Sequence, residues 1–263
     1  MSPRRPYRSD VSDARWTLIE PVFASWRAAR TGPGTAARVH DLREIVNAIL
    51  YVNRTGIPWE YLPHDFPPYK TVYDYYAKWE VDGTTQRVHD LLRDKARRAQ
   101  GRPAAPSAAV INAQSVKTSA NVATDTLGLV LAVIVTAASV HDSTGGKRLL
   151  DELATSHPSV TKVWADGRYQ NSVFQHGASR GIDVEVVKRS TVKGFQPQKK
   201  RWVIERTFGW LMQNRRLVRD YEALPQRSRT MVHWAMANKT SRELTGESAP
   251  TWRIERGDSD NPA

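Results

Sequence analysis

A chain of 263 residues has room for one large domain or two modest ones, and its 40% apolar residues suffice for a real core. The formal charge of +12 and pI near 10.1 point to an anionic partner, nucleic acid before an anionic membrane surface. Absence of cysteine excludes disulfides and Cys-ligated zinc and fits a reducing cytoplasm. No apolar run reaches the roughly 18 residues of a membrane span, and the basic start "MSPRRPYRSD" lacks the apolar stretch of a signal peptide, so no membrane partner is expected.

Composition divides the chain into a helical region over 9–98, a Gly/Pro/Ala linker over 99–107, an alternating α/β region over 108–244 and a polar, Pro-containing tail over 245–263 that reads as disordered. In the first region Leu42, Ile45, Val46, Ile49 and Leu50 follow the spacing of one helix face. Gly56 suits the stop and Pro58 the first turn of a short helix, "PWEYLP". A third helix fits "PYKTVYDYYAKWE", with Val72, Tyr76 and Trp79 inward and Lys70, Thr71, Asp74 and Lys78 outward. Two readings fit this trio: a helix-turn-helix with its third helix in a DNA major groove, or an ordinary bundle with a solvated charged face.

The α/β region opens with a strand over 108–116 that carries a neutral amide, Asn112, near its polar end. The apolar run 127–138 suits a fully buried central strand. A helix over 145–157 follows, then a strand that stops at Asp166-Gly167, another in "IDVEVVKRS", and one long helix over "KKRWVIERTFGWLMQNRRLVRDYE" with Ile204, Phe208 and Leu211 on one face. This is a mixed α/β sheet with helices on its faces.

Asp166 lies where ligands collect in open α/β sheets, although Asp-Gly alone is usually a turn. Glu205 borders the apolar stripe of the last helix among arginines, where a structural ion pair is the ordinary role. Together, a strand-end Asp and a helix-borne Glu among cations also suit metal-dependent phosphoryl transfer, with carboxylates on the metal and Lys and Arg on the DNA backbone. Such a site wants a third carboxylate on the first strand.

The stretches "AVINAQSVKTSANV", "DTLGLVLAVIVTAASVHDSTGGKRLLDEL", "VTKVWADGRYQNSVFQHGASRGIDVEVVKR" and "KRWVIERTFGWLMQNRR" resemble bacterial insertion-sequence transposases of the DDE type, in the insertion-sequence-five group. "WTLIEPVF" and "REIVNAILYVNRTGIPWEYLPHDFPPYKTVYDYYAKW" resemble the helical DNA-binding region of that group. The resemblance implies an RNase H-like catalytic domain that uses Mg2+ or Mn2+. It implies binding to double-stranded DNA, at terminal inverted repeats and at a target, as a homo-oligomer on DNA in the cytoplasm. Asp166 matches the second acid, Glu205 the third, and Asn112 stands where the first acid belongs. Lys70, Thr71, Asp74, Lys78, Lys117, Arg206 and Arg216 are the expected DNA contacts.

Two departures from that pattern set further expectations. Asn112 removes one catalytic charge. At "SANV–ATDTLG" a Gly- and Lys-rich segment of the family is absent, which predicts that the second strand of the sheet is missing and that the sheet around the first acid is either distorted or rebuilt by borrowing from the linker. On that reading Asn112→Asp alone does not restore cleavage. The function is then either transposition, or DNA binding by an inactive relict that competes with active copies.

Overall fold

The computed structural model describes residues 4–30, 40–115, 118–137, 139–166, 169, 171–187, 199–219 and 221–248. Each of the first two helices begins on a side-chain cap. Ser12 accepts from the Arg15 amide to start α1 (Asp13–Ala28), and Asp41 accepts from the Arg43 amide to start α2 (Leu42–Thr55). Gly56 ends α2 at φ 75°, a left-handed conformation that favours glycine. A single 3-10 turn, Trp59–Tyr61, leads to α3 (Tyr69–Val81) and α4 (Thr84–Ala99). The inward face of α3 is Val72, Tyr75, Tyr76 and Trp79, which adds Tyr75 to the face read from spacing.

Trp79 is the hub of this region. Its ring lies 4.8 Å from Phe23, 5.8 Å from Trp26, 5.5 Å from Tyr75 and 6.1 Å from Trp234. Trp234 belongs to α9 (Pro225–Leu244), so the far end of the chain completes the N-terminal core. Polar clasps reinforce that closure: Asn53 Nδ2 donates to the Met231 carbonyl at 3.0 Å, and buried Arg15 donates to Ser241 and Asn238.

Strands β1 (Ala108–Ser115), β2 (Thr118–Asp125), β3 (Val130–Ala137), β4 (Lys162–Asp166) and β5 (Asp183–Val187) form a sheet of order β3-β2-β1-β4-β5. β2 runs antiparallel to both β1 and β3, while β4 and β5 run parallel to β1. That mixed order, with helices on both faces, is the RNase H-like arrangement expected from the resemblance. The expectation of a missing second strand is overturned. "TSANVATD" itself forms β2, paired residue for residue from Ala109↔Asp125 to Ser115↔Ser119. β2 is antiparallel to β1, and antiparallel neighbours need no crossover.

Two smaller corrections follow. The apolar run around Val130–Val135 is an edge strand rather than a central one. It is buried because Leu131 packs with the leucines of α5 (Asp142–Ser156) on one face, and Val130 and Val133 pack with α9 on the other. The last long helix is broken: α7 (Lys199–Leu211) ends and α8 (Arg215–Val218) begins at Asn214, whose Nδ2 bonds the Trp210 and Leu211 carbonyls at 3.4 and 3.3 Å. The remaining helix, α6 (Asn171–Ser179), covers β5 beside α5.

Candidate active site

Asn112 and Asp166 lie on neighbouring parallel strands, β1 and β4. The parallel β1–β4 ladder pairs Val110 with Trp164 and Ile111 with Ala165, and Asn112 and Asp166 are the next residues of the two strands. Neighbouring strands lie about 4.8 Å apart. Ile111 and Ala165 point into the core under α5 and α6, so by strand alternation Asn112 and Asp166 face the opposite side. That is the α7 side: Val122, paired with Asn112 in the antiparallel β1–β2 register, packs with Leu211 of α7. Glu205 is exposed on α7, one residue past buried Ile204. Asn112 and Asp166 are half-buried. Each of the three takes part in further interactions within the fold.

Each element is pinned where it meets the site. Tyr169, buried three residues after Asp166, bonds the Asp166 carbonyl through its amide at 3.2 Å and donates its hydroxyl to Asn121 Oδ1 at 3.1 Å. Burial, reinforced by the negative charges of Asp142 and Asp166, pushes its phenol well above the ordinary range, so it remains a neutral donor. The first turn of α5 makes room for this pair. A Cβ on Gly145 would overlap the Asn121 amide, and one on Gly146 would lie 2.6 Å from Tyr169 Cε1.

Helix α7 is held over the β2–β3 turn. Thr207 donates to the Gly128 carbonyl at 2.7 Å and Arg206 to the Leu127 carbonyl at 2.8 Å. Gly128 is at φ 81°, and a Cβ there would lie 2.8 Å from Thr207 Oγ1, so only glycine suits this turn. Asp125 organises the same turn by accepting from the Leu127 and Leu129 amides at 2.9 Å and forming a buried ion pair with Arg97 of α4. Neither Arg97–Asp125 nor Tyr169–Asn121 is evident from the spacing of the sequence. The glycine pair "GG" in a helix is the one signal that close packing occurs there.

Comparison with known families decides the identity. A model described as "Transposase DDE domain" matches residues 80–237, and one described as "Putative transposase of IS4/5 family" matches residues 11–89. The chain belongs to the DDE transposases. A relative from Burkholderia cepacia, "Putative transposase for insertion sequence element IS402", is 36% identical over 105 residues, covering 37% of this chain and 50% of the relative. A second protein of that element and organism, "Insertion element IS402 uncharacterized 16.2 kDa protein", is 31% identical over 91 residues, covering 34% of this chain and 61% of that protein. The chain thus spans about half the length of the first of these curated relatives and somewhat more of the second.

As a DDE transposase it acts within a family that works on DNA, and its expected DNA contacts fall into two groups. Lys70, Asp74 and Lys78 are exposed on α3, with Thr71 half-buried beside them. Arg216 is different. It is 6% exposed, paired with Glu222 at 2.8 Å and donating to the Ile57 carbonyl at 2.9 Å, so its guanidinium is committed to the fold and not presented to phosphate. Arg206 is half-buried between two indoles, 4.7 Å from Trp202 and 4.8 Å from Trp210, which spends much of its face on packing. Lys117 lies outside the described residues. No described helix of the transposase is long and apolar enough to cross a membrane.

Proposed function

We propose that this chain is an insertion-sequence transposase that binds double-stranded DNA at the inverted ends of its element. Its cleavage scaffold is in place, but its carboxylate set is one short. The observation that supports this reading is that β1 and β4 are parallel neighbours paired as far as Ile111↔Ala165, with the amide Asn112 and the carboxylate Asp166 each one residue further on. The exposed Lys70–Asp74–Lys78 face of α3 supports docking through the helical region, and the net charge of +12 favours it.

The donor set fits Mg2+ or Mn2+ in kind but not in charge. Asn112, Asp166 and Glu205 offer only oxygens, as hard cations prefer, yet the amide brings a dipole where a carboxylate would bring a full charge. Among the described residues no group of three or more His, Asp or Glu converges to hold a metal ion. Binding of element ends without efficient cleavage is therefore the activity this chain's residues support, and a protein of that kind competes with intact copies for the same ends.

An intact sheet changes the expected cure. β1 lies in register between β2 and β4, so Asn112→Asp restores charge to a position that needs no rebuilding. A nicking assay on a duplex carrying the DNA that flanks the gene, with Mg2+ or Mn2+, should find the parent silent. Asn112→Asp should be at least about a hundredfold more active, the scale on which a misplaced reacting group costs rate. Adding Asp166→Ala or Glu205→Ala should abolish the gain. Robust metal-dependent nicking by the parent, or a silent but folded Asn112→Asp protein, would overturn the assignment.

A further inference from the structure

After α8 the chain turns back through residues 221–224 and leaves a cleft of about 500 Å³ against the 3-10 turn and α3. Its walls are aromatic. Trp59 and Tyr73 meet edge to face with centroids 5.4 Å apart, Tyr69 is 37% exposed and Tyr221 is 52% exposed. The Arg216 guanidinium lies 5.2 Å from the Tyr221 ring and 5.9 Å from that of Trp59, fixed by its pair with Glu222. Lys70 and Asp74 also line the cleft, and Trp59 has a buried Nε1–H without an acceptor among the described residues.

Two of the exposed rings, Tyr69 and Tyr221, meet at this one opening, and their exposure is not explained by core packing. A cation beneath Tyr221 fixes the ring but does not cover it. The cleft's own charges balance, Lys70 and Arg216 against Asp74 and Glu222, so a bare anion or cation gains little there. A flat neutral ring with donors and acceptors on its edge gains both stacking and hydrogen bonds. Because the cleft adjoins the exposed face of α3, a ring of that kind carried by DNA is within its surroundings. A base inside a duplex is already stacked, whereas an unpaired one is free to leave the helix.

We propose that this cleft binds one unpaired nucleotide of DNA, its base stacked on Tyr221 and its flanking phosphate at Lys70. The proposal rests on the reading that the chain binds DNA. The test titrates the full chain with a duplex carrying one unpaired 2-aminopurine and with the same duplex fully paired. The bulged duplex should bind about tenfold more tightly, within the range that one base–aromatic stack supplies, with quenching of its fluorescence. Tyr221→Ala should remove the preference and the quenching while paired-duplex affinity stays within about twofold, and Tyr221→Phe, which keeps the ring, should retain both. Equal affinity of the parent for the two duplexes, or a preference that survives Tyr221→Ala, overturns the nucleotide site alone. Failure to bind either duplex overturns the DNA-binding reading, and this one with it.

Discussion

The helical region and the sheet are packed from different materials. Around Trp79 the core is a cluster of rings drawn from α1, α3 and α9, so it closes only when both ends of the chain meet. Between the sheet and α5 the core is Ala, Val, Ile and Leu, small enough for helix backbone to approach β2 over Gly145 and Gly146. The joint between them is neither. There α4 brings His89, Arg93 and Arg97 inward, all under 9% exposed, against α9 and the β2–β3 turn. Rings make the helical core and small residues the close packing of helix on sheet, while the joint that relates one to the other is built of buried polar and charged groups. A polar joint is the weakest place to lose a single partner.

The largest expected effect is therefore at Arg97. Replacing it by Ala leaves Asp125, fully buried, without its cation, and breaking a buried pair from one side costs about 3–5 kcal/mol. Arg98→Ala, one residue on and exposed, should stay within about 0.5 kcal/mol. Urea midpoints of the two variants make the comparison directly. Equal midpoints would show that the joint carries no special share of the stability.

A smaller effect belongs to the sheet. Gly145→Ala drives a methyl into the Asn121 amide and should cost about 1–3 kcal/mol, the usual penalty of overpacking. Adding Asn121→Ala relieves the overlap, so the double variant should be more stable than the two single costs combined predict. Additive costs in urea titrations would mean that α5 simply shifts away from β2.

Those residues also mark what the sequence disclosed and what it hid. α2 and α3 were legible because each buries one face against a polar remainder, and Asp166 because its strand ends in Asp-Gly. β2 was hidden because "TSANVATD" is short of bulky β-formers, and its small residues make sense only once α5 lies on them. α9 was hidden for the opposite reason: Met231 through Ala237 are all buried, and a helix packed on every side has no stripe to read. Of the candidate site, Asn112 and Asp166 are singled out by the family resemblance, whereas nothing in the sequence separates Arg216, paired with Glu222, from its exposed neighbour Arg215. A run of arginines does not say which one has a carboxylate waiting six residues on.

The mildest prediction concerns acid. His89 of α4 and His233 of α9 stack within the joint with ring centroids 5.0 Å apart, both buried, and His233 Nε2 has no hydrogen-bond partner among the described residues. Burial is the main cause that holds both below the ordinary imidazole value of 6.5. Arg93 opposes protonation of either ring, Arg229 and the His89 imidazole oppose that of His233, while Asp90 favours protonation of both and Asp94 favours that of His89. A folded-state value below the unfolded one means that the unfolded chain takes up protons first as the pH falls. The stability these rings contribute is thus complete above about pH 6.5 and declines as acid is added below it. His233→Phe keeps a stacked ring but removes one of the two protonation sites. Its urea midpoint should match that of the parent near about pH 7.5 and fall less steeply toward about pH 5. Some slope should persist, because His157, bonded to the Leu131 carbonyl at 3.2 Å, is also held below its ordinary value by burial. A Phe variant that declines as steeply as the parent would place the acid sensitivity outside the joint, and the contrast between a polar joint and two apolar cores would then rest on the Arg97–Asp125 pair alone.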